Sequence, residues 1–140
     1  MLIIVDNEKK TIQPCDLKTS SHNEWEFPKS LQQWRYDIQA RLYWRLIVAN
    51  VKADQFFKDY KVLPYKFIVV NRKNCKPMVW DFPMTEALGQ LEIITPSGYH
   101  IIWRDPYDIG KELKKYLDED PEYPIGTKES QDIVNWLRTN

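Results

Sequence analysis

An apolar run, a short polar turn and a second segment of strand length open this sequence. Residues 2–5 (Leu-Ile-Ile-Val) precede the polar residues 6–10, and a stretch of strand-forming character follows over 11–19. This pattern predicts an antiparallel β-hairpin, because both runs have strand length and the residues between them suit a tight turn. Pro14 has no main-chain N–H, so we expect a bulge or an unpaired position there.

Helical spacing follows the hairpin. After a polar loop over 20–29, Ser30 is a candidate N-cap, and apolar residues then recur at three- and four-residue intervals to about Val51. We expect one long helix whose apolar stripe faces the core. The stripe consists of Leu31, Trp34, Ile38, Leu42 and Leu46.

The remaining sequence predicts further strands and two more helices. Asp105 and Pro106 are the expected N-cap and first residue of a helix that carries Ile109, Leu113 and Leu117 on one face. The sequence therefore predicts an α/β (α+β) fold with a mixed central sheet, in one domain over 1–140. The other expected elements are a buried strand over 66–71, a strand beside it at 77–82, a hairpin over 91–95 and 99–104, a turn-rich linker over 120–126 and a short helix near 130–137.

Composition excludes several classes of protein. A chain of 140 residues with 14% aromatic side chains has enough apolar area for one folded core. Cys15 and Cys75 lack metal-ligand spacing, so we expect buried free thiols, and four glycines form neither a dinucleotide-binding fingerprint nor a Walker A loop. Since no apolar run is long enough for a signal peptide or a membrane span, we expect a cytoplasmic protein with no membrane partner.

Charge is distributed unevenly along the chain. Lys and Arg outnumber Asp and Glu by fourteen to eight over residues 1–80, whereas the acids outnumber the bases by twelve to six over 81–140. The net charge is zero, so binding of nucleic acid would have to rest on a local patch in the first half of the chain.

The triplet Asp16-Leu17-Lys18 is the first candidate for chemistry. Residues two apart on a strand share a face, so Asp16 and Lys18 are expected to point the same way. A carboxylate binds a divalent cation, and a neighbouring ammonium group can orient water for attack on a phosphodiester. A surface ion pair is the alternative reading of this common triplet.

A second polar pair lies on the predicted helix. Gln39 and Tyr43 are one turn apart and are expected on the side away from the Trp34, Ile38 and Leu42 stripe. Taken alone, the pair also fits an ordinary amphipathic helix.

Together, the hairpin ending in Asp16-Leu17-Lys18 and the helix segment 34–43 resemble the PD-(D/E)XK nucleases of the RecE and lambda-exonuclease type. The resemblance covers residues 1–82, with 83–140 left as a C-terminal hairpin and helices, and it rests on the order and spacing of the two motifs. It implies a restriction-endonuclease-like core and a Mg²⁺- or Mn²⁺-dependent DNA exonuclease, often phage-encoded.

The resemblance also implies roles for individual residues. Asp16 would hold the metal, Lys18 would position the water and stabilise charge on the phosphate, and Gln39 and Tyr43 would support the site. Candidate phosphate contacts are Arg35, Arg41 and Arg45. The implied partners are linear duplex DNA and a single-strand annealing protein.

One feature of the family is missing from the expected position. The family has a first acidic residue on the neighbouring hairpin strand, and Asp6 is the obvious candidate. A turn centred between residues 8 and 9 would leave Asp6 beside the turn, roughly 17 Å from the position opposite Asp16. We therefore expect the first acid at or before Met1, in an N-terminally truncated nuclease. Glu24 and Glu26 are the alternative ligands.

Other readings of the chain remain open. A non-catalytic DNA- or protein-binding module could use the same scaffold. A structural interaction protein would rely on exposed tryptophans, although these residues more often pack in cores or across hairpins. Because a helix that flanks the hairpin in the family is also missing, homodimerisation or domain swapping is expected. The tryptophans concerned are Trp25, Trp80, Trp103 and Trp136.

Overall fold

A computed structural model describes residues 1–22, 26–94, 98, 100–118 and 136. It shows a fold that combines a mixed sheet with helices. The chain divides into two compact units, Met1–Pro106 and Tyr107–Asn140. In order, the elements are β1 (Leu2–Asp6), β2 (Thr11–Ser20), α1 (Phe27–Gln33), α2 (Tyr36–Ala53), β3 (Lys61–Val62), β4 (Lys66–Asn71), β5 (Pro77–Asp81), β6 (Leu91–Ile94), β7 (His100–Trp103) and α3 (Pro106–Asp118).

The predicted opening hairpin is confirmed. β1 and β2 pair antiparallel with Leu2 opposite Cys15 and Asp6 opposite Thr11. The register runs through Pro14 without a bulge. On its other side, Pro14 falls between the residues of β2 that pair with β3 and those that pair with β4, so its missing N–H interrupts neither ladder.

The main sheet is mixed, as expected. Its strand order is β1-β2-β4-β5, with β3 also beside β2. β2 and β4 are parallel, whereas the β1–β2 and β4–β5 pairs are antiparallel. The two parallel strands are joined through α1 and α2, the usual type of connection between such strands. The mixed α/β architecture is therefore confirmed, and the more specific restriction-endonuclease-like core stays a proposal.

The single long helix that we predicted is wrong. The chain forms α1 and α2, separated at Arg35, whose φ of 51° is left-handed. Ser30 is therefore inside α1 rather than at an N-cap, and its hydroxyl lies 2.7 Å from His22 Nδ1. The side chain of Arg35 forms two bonds to the Asp37 carboxylate, of 2.9 and 3.0 Å, which hold the break.

The predicted core stripe of the helix is also wrong in part. Trp34 and Leu46 are 63% and 52% exposed, and Leu42 is exposed as well. The buried residues of α2 lie on a different face from that stripe and include the charged residues Asp37 and Arg41. Hydropathy assigns charged residues to the surface, so the pattern could not identify this face. The buried residues of α2 are Asp37, Ala40, Arg41, Ile47 and Val51.

Two clusters of buried side chains stabilise the first unit. One is mainly aromatic and includes Trp103, with Trp80 packed against it. This agrees with the expectation that most tryptophans pack, while Trp136 is 61% exposed and Trp25 lies outside the described residues. The aromatic cluster contains Phe27, Ala40, Tyr65, Phe67, Val69, Phe82 and Trp103, and the second contains Ile12, Ile47, Val51 and Val62.

The C-terminal strands and helix match their predicted positions. β6 and β7 form a separate antiparallel hairpin, with Leu91 opposite Trp103. α3 begins at Pro106, the last residue of the first unit, and continues in the second unit, where its Leu113 and Leu117 are exposed. The predicted linker over 120–126 and the last helix near 130–137 lie outside the described residues, apart from Trp136.

Two further predictions concern cysteines and the membrane. Cys15 is a buried free thiol as expected, but Cys75 is exposed in the β4–β5 turn, where its φ is 57°.

Among the described helices, none has both the length and the apolar character that a bilayer crossing requires.

Candidate functional site

The alternation of β2 places Asp16 and Lys18 on the face that α2 covers. Ile12 lies on the same face, four residues earlier, and packs against Ile47 and Val51 of α2. The first turns of α2 therefore pass over the later part of β2, where the two charged residues lie. This arrangement confirms that Asp16 and Lys18 share a face.

Hydrogen bonds join these two residues to Gln39. Lys18 Nζ is 2.7 Å from Asp16 Oδ2 and donates to Gln39 Oε1 at 2.9 Å. Gln39 Nε2 donates to Asp16 Oδ2 at 2.8 Å and approaches the hydroxyl oxygen of Tyr65 at 3.4 Å. We call these four residues, Asp16, Lys18, Gln39 and Tyr65, the Asp16 cluster. Gln39 thus faces the sheet, and the expectation that it would point away from the core was wrong.

Positive groups surround the Asp16 carboxylate. The Met1 amino group lies 3.2 Å from Oδ1, while Lys18 binds Oδ2. Burial by itself would raise the pKa of Asp16, whose side chain is 14% exposed, but hydrogen bonds from Lys18, Gln39 and Met1 outweigh it and lower the pKa. Asp16 is therefore held as an anion.

Two tyrosines belong to this site although sequence reasoning missed them. Tyr65 is fully buried, and burial, followed by the charge of Asp16, raises the pKa of its hydroxyl, which keeps it protonated. Lys18 Nζ lies 4.3 Å from the ring centre of Tyr36, within range of a cation–π contact. Tyr36 could have been found from its position three residues before Gln39 on one helix face. Tyr65 could not, because it depends on the pairing of β2 with β4.

Tyr43 is placed beside the site rather than in its hydrogen-bonded centre. Its side chain is 38% exposed and lines an apolar groove together with Met1. The supporting role that the resemblance implies for Tyr43 stays a prediction.

The three candidate phosphate contacts all bind carboxylates. Arg35 pairs with Asp37, and Arg45 binds both oxygens of Asp105 at 2.8 and 2.7 Å. Arg41 is fully buried and donates to Asp105 and to the carbonyl oxygens of residues 87 and 89. This burial argues against a phosphate contact by Arg41, whose guanidinium group instead anchors the segment before β6.

Asp6 lies at the turn, as the predicted register requires. Its Oδ1 accepts bonds from the main-chain N–H groups of Glu8 and Lys9 at 3.0 and 2.9 Å. Glu26 forms an ion pair with Lys29 at the start of α1, and Glu24 lies outside the described residues. Within the part of the chain that is described, no three His, Cys, Asp or Glu side chains are grouped to hold a metal.

The Asp16 carboxylate is the group at this site that a magnesium ion could bind. Mg²⁺ is commonly held by one or two carboxylates and by phosphate oxygens, and it keeps several waters. Asp16 supplies one anionic carboxylate with a small exposed area. Lys18 and the Met1 amino group would compete with the ion for its oxygens.

Comparisons with known proteins add no family to this description. No protein-family model, no curated protein and no solved structure matches the chain. The fold and the site define a mixed α/β protein in which Asp16 and Lys18 of β2 are hydrogen-bonded to Gln39 of α2. The resemblance to PD-(D/E)XK nucleases stays an interpretation of the motifs.

Proposed function

We propose that the chain is a metal-dependent DNA exonuclease, or a domain of one, that hydrolyses phosphodiester bonds at the Asp16 cluster. The observation that supports this is the joining of Asp16, Lys18 and Gln39 by hydrogen bonds of 2.7 to 2.9 Å. The Asp16-Leu17-Lys18 triplet and Gln39 are about twenty residues apart in sequence, and the fold brings them into contact. The Gln39 amide binds both the carboxylate and the ammonium group of the triplet.

Asp16 would hold Mg²⁺ or Mn²⁺ in this proposal. The ion would supply Lewis acidity at the phosphate and activate a water nucleophile. A single carboxylate is a weak protein ligand set, so the proposal requires the DNA phosphate, or a second acid that the described residues do not supply, to complete the site.

Lys18 and Gln39 would orient and stabilise the reacting groups. The Lys18 ammonium is a hydrogen-bond donor that can stabilise negative charge on the attacked phosphate. Gln39 binds both Lys18 and Asp16, so it would set their separation. Tyr65, whose hydroxyl oxygen lies 3.4 Å from Gln39 Nε2, would hold the Gln39 amide in place as a positioning residue.

Degradation of linear duplex DNA tests this proposal. The chain is incubated with the DNA and Mg²⁺ or Mn²⁺, beside Lys18→Ala and the control Lys9→Ala, whose ammonium lies at the β1–β2 turn. The proposal expects cleavage that requires the ion, is lost in Lys18→Ala and is retained in Lys9→Ala. Cleavage that survives in Lys18→Ala, or no cleavage by the parent chain, would contradict a hydrolytic role.

The second candidate function is a non-catalytic DNA- or protein-binding module. It is favoured by one observation, the ion pair of 2.7 Å between Lys18 and Asp16, which already neutralises the carboxylate. Such a module should bind its partner equally well with and without divalent ions. Binding of linear duplex DNA measured by fluorescence anisotropy, in Mg²⁺ and in excess chelator, separates the two functions. The single-strand annealing protein partner remains a proposal that depends on the first.

A further inference from the structure

The outer edge of β1 is open and apolar. Within the residues that the structure describes, β1 pairs with β2 only, so its other side presents unpaired main-chain groups. Leu2, Ile3, Ile4 and Val5 are 52%, 48%, 57% and 41% exposed. An edge strand of this kind is a template for pairing with another strand.

The opposite edge of the sheet is built differently. β5 begins at Pro77, which cannot donate a main-chain bond, and ends at Asp81, a charged residue paired with Lys66. Proline and charged side chains are the devices by which proteins prevent pairing at sheet edges. β1 has neither from Leu2 to Val5. The β5 edge is therefore protected against pairing with another strand, whereas the β1 edge permits it.

Both faces of β1 continue into other exposed apolar side chains. Ile3 and Val5 face α2 and line an apolar groove of about 430 Å³, together with Leu46. On the other face, Leu2 lies diagonally beside Leu17 of β2, which is 56% exposed, and Ile4 lies opposite Gln13. A partner strand at this edge would cover apolar surface on both sides of the sheet.

We propose that the partner is a second copy of this chain, paired antiparallel through β1 about a two-fold axis at Ile3. An axis relating two antiparallel strands of one sheet is perpendicular to the sheet, so each residue faces a residue on the same face. Centring on Ile3 sets Leu2 opposite Ile4 and Met1 opposite Val5. Centring on Ile4 would set Leu2 against Asp6.

A symmetric pairing also joins the two apolar grooves. Ile3 and Val5 of one copy would stand beside Ile3 and Met1 of the other, so the grooves would meet at the axis. Covering the strand edge and its neighbouring side chains on both copies would remove on the order of 1,000 Å² from water, near the lower limit for a stable interface. We therefore expect a reversible dimer at micromolar concentration. This inference does not depend on the proposed nuclease function.

Sedimentation velocity of the 140-residue chain tests the proposal. We expect a dimer that dissociates on dilution and that Ile3→Lys reduces to a monomer. Val79→Lys is the matched control, because Val79 is 60% exposed on the other edge strand and should leave the dimer intact. A monomeric parent at 100 μM, or equal effects of the two variants, would overturn the proposal.

Cysteine cross-linking tests the register itself. In a Cys75→Ser background, which removes the exposed native thiol, Ile3→Cys places two thiols on the axis, about 5 Å apart at Cβ. Leu2→Cys places them roughly 7 Å apart along the strands. Mild oxidation should give a covalent dimer with Ile3→Cys and little with Leu2→Cys. The reverse order, or no covalent dimer with either, would contradict pairing about Ile3, and circular dichroism would show that both variants are folded.

Discussion

Gln39 holds Asp16 through its amide nitrogen at 2.8 Å and Lys18 through its amide oxygen at 2.9 Å. One side chain of α2 thus binds both charged residues of β2. The orientation of the amide follows from its partners, since a carboxylate can only accept and an ammonium can only donate.

Replacing Gln39 should destabilise the fold. Gln39→Ala removes hydrogen bonds to two charged groups that are only 14% and 20% exposed, so we expect a loss of about 1–2 kcal/mol in the free energy of unfolding. Urea denaturation measures this loss. Gln33→Ala, at the exposed end of α1, should change stability by less than about 0.5 kcal/mol. Equal losses in both variants would show that the Gln39 bonds carry no net energy.

The Asp16 carboxylate should make stability depend on acid pH. Its pKa is lower in the folded protein than the ordinary value of 3.8, so the folded state binds fewer protons than the unfolded chain. The stabilisation is fully present above pH 3.8 and is lost as the pH falls through the lowered folded pKa. The difference in unfolding free energy between the parent and Asp16→Asn should therefore shrink as the pH is lowered from 6 towards 2. A difference that stays constant over that range would contradict this linkage.

Removal of Arg41 should cost far more than removal of a surface arginine. Arg41→Ala would leave Asp105 with one fewer positive partner and would remove a donor from the carbonyl oxygens of residues 87 and 89, of which that of residue 87 still accepts from Arg45. We expect a loss of about 3–5 kcal/mol, the range for breaking a buried ion pair. Chemical denaturation of Arg41→Ala and of Arg72→Ala, an exposed control, measures the contrast. A loss below 1 kcal/mol for Arg41→Ala would be inconsistent with the buried pair.

The break between α1 and α2 predicts an unusual order of stability. Arg35→Gly and Arg35→Ala both remove the Asp37 pair, but only glycine accepts a φ of 51° without steric cost. Arg35→Gly should therefore be more stable than Arg35→Ala by about 1 kcal/mol, against the ordinary helix propensities. Thermal unfolding of the two variants decides this. A more stable alanine variant would mean that the helix can run through residue 35.

The strands could be predicted well because their signals are local. The hairpin register follows from the turn after Asp6, and β4 follows from the apolar run that contains Ile68 and Val69. The helix break could not be predicted, because no proline or glycine marks Arg35. The buried face of α2 was missed because Asp37 and Arg41 are charged and become buried only by pairing within the fold.

The candidate site was predictable in its central residues only. Asp16 and Lys18 share a strand face by simple alternation, and Gln39 was singled out by its spacing from Tyr43. Tyr65 joins the cluster through the parallel pairing of β2 with β4, which links residues about fifty positions apart. No local pattern carries that information.

Binding of Mn²⁺ to the chain is the most direct test of the proposal that Asp16 is a metal ligand. Isothermal titration calorimetry is performed on the parent, on Asp16→Asn, and on Asp6→Asn as a control acid from the β1–β2 turn. We predict one binding event in the parent that is retained in Asp6→Asn and lost in Asp16→Asn. Undiminished binding by Asp16→Asn, or no binding by the parent in the presence or absence of duplex DNA, would contradict the proposed metal site.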